Sequence, residues 1–499
     1  MSGRVRDPRL ERDLPRVLPP LLLGALLLLG APMSLSGQGL RGWVGTTVQM
    51  VELRPYGQDT VPRYGVVADS LGRMWSGDRQ VSCFAGDFCT AYVPLAKDRL
   101  VAATQDVSFT AWGFGLEGLS FTALVRGRAH AGSDMFWPRS DDAFDAMLGY
   151  AQLQRGAFRF RAGRQEVRSG LGFPAFDGGS VTYATGTTQV EAYGGRSLAR
   201  GLREPTNEAL KGIESYLVDE GARLMGASLR KRLDGAVFTA RYHREILADR
   251  STLVGERGSV DVVTSIPHFR LHGSLDYDFG RDRLGKSEIT VGAPLRGGRV
   301  LVEATARRYV PYFQLSTIWG FFEPVAYSEL ELRGSWSPSG TLGLWASGGR
   351  RSYGDTDTQV LSPLTDTGWR GNAGARWQVR PGWTVDGAYR LEWGPGAFLS
   401  SGDVALRWTG WERLSLSVSG TSFQQVEEFR VGDGRALGGG LSFDLKVTDR
   451  ASLAGGLTAL RHRDGGSVFT SPWNQTRGWT SLRIDIGEDP GLANRRRVR

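Results

Sequence analysis

Strand-like runs separated by connections that alternate short and long constrain this chain more than anything else in it. After the tight GLEG at 115–118 comes a long link at 131–142. Then follow tight QRGA at 154–157, long 168–179, tight TGTT at 185–188, long 196–223 and tight LDG at 233–235. The beat holds to the C-terminal runs. Between the connections lie about 22 runs of roughly 6–13 residues in which apolar and polar side chains alternate. A period of two means strands, with successive side chains on opposite faces. Sandwiches with crossover connections have no reason to keep such a rhythm. Membrane barrels do keep it, with short turns on one side of the bilayer and long loops on the other.

The two faces differ in kind. In AFRFRAG, Phe158, Phe160 and Ala162 oppose Arg159 and Arg161. Leu330 and Leu332 oppose Glu329, Glu331 and Arg333; Leu441, Phe443, Leu445 and Val447 oppose Asp444 and Lys446. Leu482, Ile484 and Ile486 oppose Arg483 and Asp485. One face is apolar and the other carries charges of both signs. An Arg or Lys facing lipid at mid-bilayer costs about 2–4 kcal/mol, so the charged face belongs to a wet lumen. Tryptophans gather near run ends (Trp336, Trp377, Trp383, Trp393, Trp408, Trp411, Trp479), where an interfacial girdle sits. The expected fold is all-β: a transmembrane antiparallel up-and-down barrel of about 22 strands, with 18–24 as the range, short periplasmic turns and long extracellular loops.

Domain organisation follows. Arg12 and Arg16 precede an apolar run at 18–31, then Ser34, Leu35 and Ser36. That is the layout of a secretory signal over residues 1–38; the run is short for a membrane anchor. The barrel is expected over 39–487. The direction of the beat pairs the run 42–53 with 107–114 and makes 54–106 either the first external loop or a small N-terminal subdomain. Cys83 and Cys89, the chain's two cysteines, read as one small disulfide in an exported protein. Residues 488–499 form a basic tail. The formal charge of +9 sits largely at the two ends, with arginines before residue 17 and at 495, 496, 497 and 499. It therefore gives no reason to expect a nucleic-acid partner.

The residues GRQE (163–166), Arg168, Gly170 and FDG (176–178) resemble a segment of the alginate-export type of outer-membrane porin. The resemblance implies a single-chain barrel whose arginine-lined channel passes an anionic sugar polymer. It spans about 35 residues, and Val167, Arg168 and Ser169 stand where that family's tyrosine is expected. Independently, the period of two turns Arg126, Arg128, Arg159, Arg161, Arg230, Arg232, Arg241 and Arg270 inward. These are the candidate selectivity residues: unpaired, they favour anions. Paired with Glu191, Asp261, Asp276, Asp278, Glu329 and Glu331, they form a salt-bridged wall instead. Arg164 falls on the lipid face unless a bulge at Gly163 shifts the alternation or the site lies beyond the hydrocarbon. His268 and His272 share a face but stand about 13 Å apart along a strand, too far for one metal.

The function expected is a porin-like channel in the outer membrane of a Gram-negative-type bacterium, passing small hydrophilic solutes, with anions preferred under the unpaired reading. The expected partners are outer-membrane lipid, those solutes and the barrel-assembly machinery, with no cofactor. A closed structural or adhesion barrel is the alternative. A barrel hydrolase is third: no G-x-S-x-G occurs and nothing selects a site among five histidines. No enzyme is expected. The apolar link 310–326 could narrow the mouth, and 196–223 contains a short helix-like stretch.

Overall fold

The computed structural model describes residues 39–487 except 54–55, 70–73, 78, 84–85, 133–143, 173, 199–221, 248–251, 267, 311–325, 355–366, 395–396, 427–433 and 465–472. The signal-like segment, the basic tail, nearly all of 310–326 and the helix-like stretch lie outside the described residues.

Twenty-two strands form one closed antiparallel sheet. Gly39–Leu53 is the first, Asp98–Trp112 the second, and twenty more follow to Trp473–Gly487. Each strand pairs with the next in sequence, and the last pairs with the first, Ile486 opposite Gly42. Closure leaves no unpaired edge, which hydrocarbon would not tolerate. The turns at one end are tight: Leu233 pairs with Ala236 across two residues, and Gly235 takes φ +75° there.

The strands run further than the alternating runs suggest. The second begins at Asp98, not Val107, and another spans Ala397–Trp411, not 402–408. The hydrogen-bond ladder continues past the hydrocarbon, where both faces are wet and alternation is no longer demanded.

Among the described residues no large apolar core lies inside. The buried apolar clusters are small, such as Phe176, Tyr193 and Leu224 with Val167 against them. The large apolar side chains instead stand exposed on the outer face: Leu330 is 60% exposed, Leu332 59% and Phe160 46%. At about 25 cal/mol per Å2, such a band around the whole circumference is stable against lipid, not water. Aromatic rings border it at both ends. Trp383 and Trp408 stand 6.4 Å apart at the tight-turn end; Trp369 and Trp393 stand 6.4 Å apart at the long-loop end. Gly258 leaves room for Phe279, whose ring lies against Tyr242 and Tyr277 in the long-loop girdle.

The first connection holds a hairpin, Tyr56–Pro62 with Phe88–Pro94, and a three-stranded sheet of Val67–Ala68, Met74–Ser76 and Arg79–Val81. Val81, Cys89 and Ala91 make its small core, and the Cys83–Cys89 disulfide closes it.

No bulge relieves Arg164. The register from Phe158↔Tyr183 to Glu166↔Ala175 is unbroken, although Gly163 takes φ +125°. Arg164 stays on the outer face and is neutralised there: Nε and Nη2 donate to the two oxygens of Asp177 at 2.7 and 2.8 Å.

Candidate functional site

The inner wall carries the charge. Among the eight arginines singled out above, five are tied into it. Arg126 forms a two-pronged pair with Asp106 on the neighbouring strand, at 2.6 and 3.0 Å. Arg128 lies 3.7 Å from Asp145. Arg159 donates to Thr182, and Arg161 donates to Gln152 while lying over the Tyr150 ring. Arg241 pairs with Asp261. Arg230, Arg232 and Arg270 stand on the same inner face near the tight-turn end. All three are exposed, and among the described residues no acid pairs with them.

A second cluster was not singled out from sequence. Glu288, Arg307, Glu329, Arg351, Arg370 and Glu392 sit on six consecutive strands from Arg283–Leu295 to Trp383–Gly394. The Glu329 carboxylate, 2% exposed, receives Arg370, Arg351 at 3.4 Å and Arg307 at 3.9 Å. Arg307 also reaches Glu288 at 2.6 Å, and Arg351 reaches Glu392 at 2.9 Å. Arg351 lies 4.5 Å over the Tyr327 ring, in a lumenal row with Tyr309 and Tyr353. Charges of opposite sign on adjacent strands lock the register, because a one-residue slip would turn every one of them to lipid. Each strand's alternation announced inward acids; only the register shows which arginines meet them.

The connection between Phe158–Glu166 and Ala175–Ala184 folds into the bore. Its ends are joined by Val167 N–H donating to the Pro174 carbonyl at 3.0 Å, and Ser169 and Gly172 exchange backbone hydrogen bonds at 3.0 and 3.2 Å. Val167 packs on Phe176, Tyr193 and Leu224. Its tip passes Thr188–Ser197 and Arg223–Leu233 to reach Arg241 on the next strand and Arg257 on the strand after that. Arg257 Nη1 donates to the Leu171 carbonyl at 3.2 Å, and a Cβ on Gly170 would stand 3.2 Å from Arg241 Nη1 and 3.9 Å from Asp261 Oδ2. Arg257 is itself held by Asp276 at 2.8 Å. One hydrogen bond from a lumenal arginine thus seats an inward hairpin, with Arg241 and Asp261 close to its backbone.

Strands about 4.8 Å apart and tilted about 40° give a circular 22-strand wall a radius of about 22 Å. Side chains on the wall span only a fraction of that. The described residues coat the bore and narrow it at the 167–174 hairpin; they do not fill it.

No protein-family model matches the sequence, and no curated protein matches it either. The alginate-export resemblance therefore rests on its short segment alone. Solved structures align over most of the chain. A BenF-like porin from Pseudomonas fluorescens Pf-5 is 11% identical, covering 91% of this chain and 100% of its own, with a TM-score of 0.40. A mutant of the ferric enterobactin receptor from Pseudomonas aeruginosa is 10% identical, covering 89% and 80%, with a TM-score of 0.47. OccD3 from Pseudomonas aeruginosa is 10% identical, covering 92% and 93%, with a TM-score of 0.39.

Proposed function

We propose that this chain is an outer-membrane channel of a Gram-negative-type bacterium through which small hydrophilic solutes diffuse. The observation that carries the reading is the hairpin of the 167–174 connection, held by Arg257 against the inner wall of a 22-strand cylinder that the described residues do not fill. A constriction fixed by hydrogen bonds selects by size and charge without any chemistry. Many lumenal charges are compensated in pairs. Arg230, Arg232 and Arg270 form no ion pair among the described residues, and they bias the tight-turn mouth toward anions. Residues 1–38 direct export, and the assembly machinery inserts the barrel.

The test is electrical. The protein, folded into planar bilayers, gives stepwise conductance and, in a salt gradient, a reversal potential displaced toward the anion value. A folded, inserted barrel that stays electrically silent overturns this reading and leaves the closed structural barrel.

A further inference from the structure

A shallow depression of about 880 Å3 lies on the outer wall across the strands from Leu253–Ile266 to Leu342–Tyr353. Gly273, Ser287, Ala306 and Ser328 are small where neighbouring outer-face positions are large, and that difference makes the hollow. Leu275, Ile289 and Leu330, each more than 40% exposed, give it an apolar floor.

Two arginines, Arg308 and Arg350, border it. The register puts both on the outer face: Arg308 lies opposite Ser287 and Ser328, and Arg350 opposite Leu330 and Trp369. Both are near the long-loop end, and both are exposed. Arg350 sits 5.7 Å from the Trp369 ring, which fixes its height at the aromatic girdle. Among the described residues no carboxylate pairs with either. Arg164, elsewhere on this face, is by contrast neutralised by Asp177. Two strand spacings and a two-residue offset separate them, about 12 Å in all, so both flexible side chains can converge on one group between them.

Exposed guanidinium groups at headgroup height, above a hollow that descends into the hydrocarbon band, match one kind of occupant. We propose that this depression binds an outer-leaflet lipid with a phosphorylated head group. The phosphate sits between Arg308 and Arg350, and an acyl chain lies along Leu275, Ile289 and Leu330. Guanidinium groups take phosphate through paired, charge-assisted hydrogen bonds. The inference rests on the lipid-facing assignment of the outer wall, not on conduction through the lumen.

The experiment uses the full chain folded in detergent micelles, titrated separately with diphosphorylated lipid A, phosphatidylethanolamine and inorganic phosphate. Bound lipid is counted by native mass spectrometry. Lipid A is retained by the wild type, and retention falls at least tenfold in R308S/R350S. Ala306→Trp, which fills the hollow and keeps both charges, lowers it comparably. Arg435→Ser, an outer-face arginine on a distant strand, leaves it unchanged. Equal retention by wild type and R308S/R350S overturns the proposal, as does equal loss in Arg435→Ser, which would mean diffuse charge alone. Displacement of the lipid by inorganic phosphate at equal concentration also overturns it, since the acyl chain would then contribute nothing. Heat-modifiable migration of every variant reports folding, and conductance is read separately, so a silent lumen and an empty depression are distinct results.

Discussion

Arg257 donates from Nη1 to the carbonyl of Leu171, 86 residues earlier, and that bond holds a connecting hairpin against the inside of the barrel. The same side chain pairs with Asp276 through Nη2 at 2.8 Å. One guanidinium thus ties the wall to the segment that narrows it.

Removing that tie should loosen the constriction. A hydrogen bond from a charged donor contributes roughly 1.5–3 kcal/mol. Arg257→Ala therefore lowers the docked fraction of the hairpin by about tenfold or more. Single-channel conductance rises and open-channel noise increases. Asp276→Asn, which keeps the bond to Leu171, has the smaller effect. Equal conductance in wild type and Arg257→Ala would remove the hairpin from the conduction path.

Glu329 is the hub of the second-half charge belt. Glu329→Ala leaves Arg307, Arg351 and Arg370 around an empty position. Breaking a buried pair costs about 3–5 kcal/mol, and the partly exposed arginines place this case near the lower figure. Urea unfolding of the detergent-folded protein should shift to lower concentration. The reversal potential should move further toward anions, because three cations lose their shared acid.

Adjacent residues on one strand report which way the wall faces. Val418 is 55% exposed on the outer face, and Ser419 turns inward. Val418→Arg should destabilise the membrane-inserted barrel by about 2–4 kcal/mol, with Ser419→Arg near zero. Unfolding from vesicles measures both. The reverse order would invert the barrel.

If the proposed anion bias comes from the exposed arginines at the tight-turn mouth, removing them should change the sign or size of selectivity. R230S/R232S should lower the anion-to-cation permeability ratio while leaving stability within about 0.5 kcal/mol, as expected for exposed side chains. An unchanged ratio would assign selectivity to the 167–174 constriction.

The disulfide acts locally. Closing so short a loop stabilises by roughly 2 kcal/mol on the chain-entropy estimate. C83A/C89A should speed amide exchange in 56–94, where Val81, Cys89 and Ala91 form the only apolar cluster among the described residues of that segment. The barrel's unfolding midpoint should not move, since its ladders share no contact with that bond.

The barrel is written into the chain by two local patterns. A period of two assigns Phe158 and Leu330 to one medium and Arg159 and Glu329 to the other, and the alternation of turn lengths orders the strands up and down. Both depend only on near neighbours, so both are legible residue by residue. The inward arginines were legible for the same reason. What the sequence does not carry is which charges meet. Glu329 with Arg351 and Arg370, Arg164 with Asp177, and Arg257 with Leu171 depend on strand register and on loop path across residues far apart in the chain. Period alone marks Arg164 as misplaced; only the neighbouring strand supplies the acid that makes the place tolerable. Likewise no local pattern says that 167–174 turns inward, because its seat lies on strands that closure of the cylinder brings beneath it.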